Sequence, residues 1–261
     1  MLLHKSAFLW VYMKRLTGVL VAVLLLCGFT SCDSGDITQS SKEIIAVSQD
    51  LYCLSAANSV SADVQEVVTY NTASDVVVAV ENSKADYGII DEFDTFDFIS
   101  ANRRIKVLKE CDYTAEFSFF FNENCKTDAE NFNDAIMDLK SNGVLQNIKD
   151  SYIETGAYNC KIPDGKKTLV FGCDPAFEHR AEIDEGGTVS GIDISVVTEI
   201  CSRLGYSLEI VTGDYDDLFY KLSKGKIDFV AAQVDESHEK EKEYIATEPY
   251  LTYKFNLIVK E

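Results

Sequence analysis

The chain has 261 residues, 46% of them hydrophobic and 3 of them proline, a composition that excludes a disordered polypeptide and reads as globular. That length accommodates one large domain or two lobes of about a hundred residues each. A formal net charge of -19 at pH 7 excludes nucleic acid and anionic membrane surfaces as partners, because phosphate binding needs clustered Lys and Arg.

Lys14 and Arg15 precede an apolar run, Leu16 to Phe29, that is short for a membrane span and is followed by small residues and Cys32. Residues 1–31 therefore read as a targeting segment outside the fold, with Met1 and Met13 both open as the start. Residues 33–42, DSGDITQSSK, read as a flexible tether. Of the 8 Cys, Cys53, Cys111, Cys125, Cys160, Cys173 and Cys201 remain beyond this region, without CxxC or metal-ligand spacing. Disulfides are permitted in an exported chain, and small apolar packing residues are the other reading.

From Glu43 an α/β pattern begins. Ile44–Val47 and Val67–Tyr70 read as strands, Ser74–Glu81 as a helix with Val76, Val77 and Val80 inward, and Asp86–Ile90 as a strand running into Asp91. Phe93–Ser100 follows as an amphipathic helix and Ile105–Leu108 as another strand. Pro163, Asp164 and Gly165 mark a linker over 158–166.

A second unit opens at Thr168–Gly172, a short apolar run ending at Gly. Ile192, Val196, Val197, Ile200 and Leu204 share one face of a helix that stops at Gly205. Ser207–Val211 is a strand, Leu218, Phe219 and Leu222 face inward from a helix ending near Gly225, and Ile227–Ala231 is a third strand. Alternating strands and helices imply a parallel sheet whose ligands bind at the carboxyl ends of the strands.

The motifs FGCDPAF, GIDI, LSKGKIDFV and EPY, in that order, resemble the first lobe of bacterial extracellular solute-binding proteins of the polar amino-acid class. VVTYNTASDVVVAVENSKADYGIIDEF is similar to the second lobe of the same family, and the stretch from Ala115 to Ile153, beginning AEFSFFFNENC, to its final segment, which implies a separate strand returning to lobe one and then two helices divided at Gly143. The resemblance implies a two-lobed, periplasmic-binding-protein-like α/β fold with a two-strand hinge and a circularly permuted order. Lobe two is expected at 43–115, the return segment of lobe one at 116–157, and lobe one with the hinge strand at 167–261. The competing account is a truncated tandem. Permutation predicts that 252–260 and 43–48 lie side by side at the hinge.

The same resemblance assigns the ligand site. Phe177 falls where the family stacks an aromatic on the ligand, with Asp174 in the same loop, while Glu178, His179 and Arg180 replace the family's continuation. Ser237 and Lys240 fall on a Thr-x-x-Arg carboxylate grip, and Gln233 and Asp235 on polar contacts. Lys offers a point charge where Arg offers a fork. Asp91 matches the carboxylate that receives an α-ammonium, its other reading being a helix N-cap. Phe177 also reads as core, and Lys240 as a member of a solvated charge run. Where the family has Gly-Thr at a lobe-two helix start, this chain has Asp50 and Leu51. With Asp91, Asp174 and Asp235 retained and the carboxylate grip altered, an amino acid or other small solute with a cationic group is expected, lying near Phe177.

The expected function is capture of that solute for the membrane subunits of an ABC importer, by a monomer held outside the cell membrane through a lipid on Cys32. The stretch LCGFTSC resembles a lipoprotein signal, an ordinary secretory signal being the alternative. No cofactor or metal is implied. A receptor-derived sensing or protein-binding domain is one alternative. An enzyme of this fold is another, but His4, His179 and His238 are the only histidines and fall in no triad order.

Overall fold

The computed structural model describes residues 42–60, 65–176, 179–233 and 243–261. The run EIIAVS forms β1 (Glu43–Ser48), apolar on both faces and buried from Ile45 to Ser48, as a central parallel strand must be. It is followed by α1 (Leu51–Ser59), β2 (Gln65–Tyr70), α2 (Ala73–Glu81), β3 (Tyr87–Asp91), α3 (Glu92–Ser100) and β4 (Ile105–Phe121). Two helices come next, α4 (Lys126–Ser141) and α5 (Val144–Thr155), separated at Gly143, whose φ of 78° is the left-handed turn that glycine makes without strain.

The second unit runs β5 (Lys167–Cys173), a hairpin of β6 (Glu182–Ile183) and β7 (Val189–Ser190), α6 (Ile192–Leu204), β8 (Tyr206–Thr212), α7 (Tyr215–Ser223), β9 (Phe229–Gln233), β10 (Ile245–Ala246) and β11 (Leu251–Lys260). The main sheet has nine strands in the order β2-β1-β3-β11-β4-β9-β5-β8, with β10 also paired to β4.

That order is one pattern written twice. In the first half, parallel β2-β1-β3 is followed by an antiparallel visitor, β11, and then by the half's own last strand, the beginning of β4. In the second half, parallel β8-β5-β9 is followed by an antiparallel visitor, the end of β4, and then by β10. Each half is thus completed by a strand that continues from the other.

The crossing strands pair with each other from Leu251↔Phe117 to Lys260↔Ile105, with two register shifts along β11. Such bulges bend and twist a ladder locally. Layering repeats as well. α1 and α6 pack into a shared core around Phe117, Phe119, Phe171 and Phe229, α2 covers the opposite face of the first half, and α7 that of the second.

The fold corrects several of these expectations. Residues 252–260 do not lie beside 43–48, because β3 stands between β1 and β11. Its run YGIID is buried at Gly88, Ile89 and Ile90, so the central slot goes to it. The first described strand and the last still meet the same end of the sheet, since Ile45 pairs with Tyr87 and Ile258 with Gly88.

Ile105–Leu108 and the later strand are one 17-residue strand, β4, continuing through the polar segment KECDYT. For α1 the sequence offers only the helix start at Asp50 and Leu51 that the family resemblance implies, with no apolar pattern of its own. Among the described residues no helix is long and apolar enough to cross a membrane.

Candidate ligand-binding cleft

Strands β1, β2 and β3 run parallel, so the loops after them and the N-termini of α1, α2 and α3 gather at one edge of the first half. That edge faces the loop after β5 across a cavity of about 380 Å³. The first half contributes Ser48, Asp50, Tyr52, Asn71, Asp91 and Asp94, the second half Ala176, His179 and Arg180, and the crossing strand β11 Tyr253 and Phe255. Asp50, Asn71 and Thr72 are exposed at the mouth, whereas Arg180, Tyr253 and Phe255 are buried at the floor. The volume suits a small ligand.

Asp91 ends the apolar strand β3 and caps α3. Its Oδ1 accepts from the backbone N–H groups of Phe93 and Asp94, both at 2.9 Å. The two sequence readings of this residue therefore coincide in space, as a helix cap and as a carboxylate on the cavity wall. Burial raises its carboxyl to about 6, against the lowering pull of those N–H groups and of His179.

Asp50 caps α1 in the same way, accepting from Cys53 N–H at 2.8 Å, and its other oxygen meets the Ser48 hydroxyl. Thr72 caps α2, its hydroxyl accepting from Asp75 N–H at 3.1 Å and donating to the Asp75 carboxylate at 2.9 Å. This wall is polar and mostly anionic.

The opposite wall is built by the long connection from β5 to α6. Gly191 has a φ of 133°, and a Cβ there would lie 2.1 Å from the carbonyl oxygen of Arg180, so only glycine lets α6 start so close to that loop. The N–H groups of Ile192 and Asp193 then donate to the carbonyls of His179 and Arg180, at 2.9 and 3.0 Å. The start of α6 is thereby used up in holding the loop.

The Arg180 side chain lies over the Phe117 ring at 4.0 Å and donates to Asp193 at 2.9 Å, in a pair that is almost wholly buried. Burial alone pulls the guanidinium pKa down, but Asp193 and the neighbouring tyrosines outweigh it and hold the charge. Asp193 also accepts from the Tyr250 hydroxyl at 2.6 Å. His179, in the left-handed region at φ 64°, stacks on Phe93 of α3 with ring centroids 5.0 Å apart, a direct bridge between the halves.

Of the residues expected at the site, the structure brings Asp91 to the cavity. Asp174 lies in the loop after β5, where it accepts from Ala176 N–H at 3.0 Å, and is not among the described residues lining the cavity. Gln233 closes β9 opposite Phe117. Phe177, Asp235, Ser237 and Lys240 lie outside the described residues, as does Cys32.

Asp50, Tyr52, His179, Arg180 and Tyr253 were not anticipated as site residues. For His179 and Arg180 a signal existed, a charged pair in a loop after a strand. The six cysteines of the described region are unpaired. Burial pushes Cys173 and Cys201 up to about 12, which leaves them inert packing residues. Among the described residues no three His, Cys, Asp or Glu side chains are grouped to hold a metal ion.

Residues 169–261, which are β5 to β11, match the family model of bacterial extracellular solute-binding proteins, family 3. The L-cystine-binding protein TcyK of Bacillus subtilis is 32% identical over 92 residues, covering 35% of this chain and 33% of that protein. A probable amino-acid ABC transporter-binding protein of Haemophilus influenzae is 29% identical over 84 residues, covering 32% and 33%. The chain thus spans about a third of the length of these curated relatives. Among solved structures, the second substrate binding domain of a putative amino acid ABC transporter from Streptococcus pneumoniae is 15% identical over 84% of this chain and 85% of that one, with a TM-score of 0.46.

Proposed function

We propose that this chain, whose residues 169–261 belong with the family 3 bacterial extracellular solute-binding proteins, captures a small solute carrying a cationic group and presents it to an ABC importer. The observation that carries this reading is the asymmetric cavity. Asp50, Asp91 and Asp94 line one wall, and aromatic side chains close the floor. An ammonium placed there gains carboxylate contacts and a ring face in a site partly withdrawn from water.

Capture works by differential contact. A solute that touches both walls favours the arrangement in which the halves meet, and the two crossing strands β4 and β11 are the elements that could flex between them. A second part of the reading is location. Work outside the cytoplasmic membrane fits the family, and Cys32 after the apolar leader supplies the site for a lipid tether. The protein acts as a monomer without cofactor and binds rather than transforms its solute. A further part is the order of the chain. The two crossing strands are what joining the usual ends of such a protein, and reopening it at the hinge, would leave.

A thermal-shift screen of cationic, zwitterionic and anionic small molecules tests the reading. Ligand at a hundredfold excess over Kd stabilises the protein by about 2.7 kcal/mol, which is several degrees. Cationic or zwitterionic solutes are expected to give that shift. Stabilisation by anionic solutes alone overturns the proposal.

A further inference from the structure

The N-terminus of a helix ordinarily attracts anions, because its first N–H groups point outward and its dipole is positive there. Three such ends, those of α1, α2 and α3, open on the cavity, yet α1 and α3 are each closed by a carboxylate of the chain itself. Asp91 is half-buried at the β3–α3 junction, while Asp50 is exposed at the mouth. Asp50 is held from two sides, by Cys53 N–H and by Ser48 Oγ. The equivalent first helix of the second half, α6, begins at Gly191 without any side-chain cap, its N–H groups going to loop carbonyls instead.

We infer that Asp50 is a specificity-determining residue. By capping α1 with a fixed negative charge at the cavity mouth, it turns a helix end that could receive a ligand carboxylate into one that repels it. The preferred ligands are then cations that lack an adjacent carboxylate, such as diamines, over the corresponding α-amino acids. This rests on the cationic-solute reading above and narrows it.

Three features support the assignment. The remaining hydrogen-bond partners of Asp50 are internal, so its position does not depend on a ligand. The next cap along the same wall, Thr72, has its hydroxyl engaged by Asp75, which keeps a second carboxylate at the helix beside it. Among the described cavity-lining residues of the first half, no guanidinium offsets these charges. Among the described lining residues, Arg180 is on the other wall and bonded to Asp193.

The test compares lysine with 1,5-diaminopentane, which differ only in the α-carboxylate, by calorimetry on the full chain and on Asp50→Asn. Asparagine caps a helix as well as aspartate does, so the α1 start is retained while the charge is removed. Wild type is expected to bind the diamine more tightly than lysine. Asp50→Asn is expected to move the affinity ratio about tenfold toward lysine, the scale of one nearby charge partly screened by water. Asp50→Ser, another capping residue, is expected to do the same.

A ratio unchanged in both folded variants overturns the role of Asp50 and leaves the cationic-solute reading standing. A preference of wild type for lysine over the diamine also overturns it. Binding of neither compound by wild type overturns that reading and this inference together.

Discussion

The two halves of the molecule share a strand order, a helix layering and a borrowed strand, yet they meet the cavity with opposite equipment. The first half connects β1 to α1 through Gln49 and Asp50 alone and presents carboxylates on short, capped helix starts. The second connects β5 to α6 through some eighteen residues including a hairpin, and presents His179 and the buried Arg180. Where the connection is short, the helix end itself becomes the wall. Where it is long, the helix end anchors a loop and the loop becomes the wall. The scaffold fixes where the cavity lies, and the length of one connection fixes which charges line it.

The sharpest way to break this contrast is to release the long loop. Asp193 is buried and receives both Arg180 and Tyr250, so Asp193→Ala removes the partner of a buried guanidinium. A loss of about 3–5 kcal/mol in urea unfolding is expected. A loss below about 1 kcal/mol would mean that the backbone bonds from Ile192 and Asp193 hold the loop by themselves. Any solute that binds the wild type should bind this variant more weakly, because one wall of the cavity is no longer fixed.

The halves also differ in how much of them the sequence exposes. β-branched and apolar runs showed most strands of both, and in the second half the helix pattern of α6 and its stop at Gly205 agreed with the coordinates. The helix α1 shows in the sequence only as the start at Asp50 and Leu51 that the resemblance implies, because LYCLSAANS is built of small and mixed residues without a clear apolar stripe, although Cys53, Ala56 and Ala57 are buried. The sequence divides β4 into two pieces because the stretch between them, Lys109–Thr114, is mostly polar and exposed, and its pairing with β11 makes it strand. The third strand of the second half begins at Phe229 rather than Ile227 because a turn occupies the residues after α7.

Among the cavity-lining residues, Asp91 stands at the end of an apolar strand and was singled out in the sequence by the family resemblance. Arg180 and Tyr253 were not. One sits in a loop without periodicity, placed by a contact to Gly191, and the other is an ordinary inward position of an alternating strand.

A gentler probe uses pH. Folding raises the Asp91 pKa to about 6 because its carboxyl is buried, so the folded state holds that proton more tightly than the unfolded chain does. The group therefore favours folding below about pH 4, and this contribution fades as the pH climbs through about 6. Affinity for a cation runs the other way, since it needs the ionised carboxylate. Binding is expected to strengthen with pH up to about 6, by at most about tenfold per unit, and then level off. Glu92, Asp94 and His179 also face this position, so the control is Asp91→Asn, which should flatten the slope. An unchanged slope in that variant would take Asp91 out of the site.

The smallest expected effect concerns what joins the halves away from the cavity. Lys149 of α5 pairs with Glu92 of α3 at 2.6 Å and donates to the Thr252 carbonyl of β11 at 2.7 Å, while the same Glu92 accepts from Lys254 N–H at 2.8 Å. Both side chains are mostly buried, at 11% and 18% exposure, so the pair is shielded better than a surface one. Lys149→Met keeps the aliphatic stem and removes the charge, and a loss of about 1 kcal/mol is expected in thermal unfolding. Because the contact ties a helix following β4 to the first half, its removal should also enlarge the radius of gyration of the ligand-free protein in solution scattering and leave the ligand-bound protein unchanged. Equal radii for variant and wild type without ligand would show that Phe93 on His179, together with β4 and β11, is enough to hold the halves together.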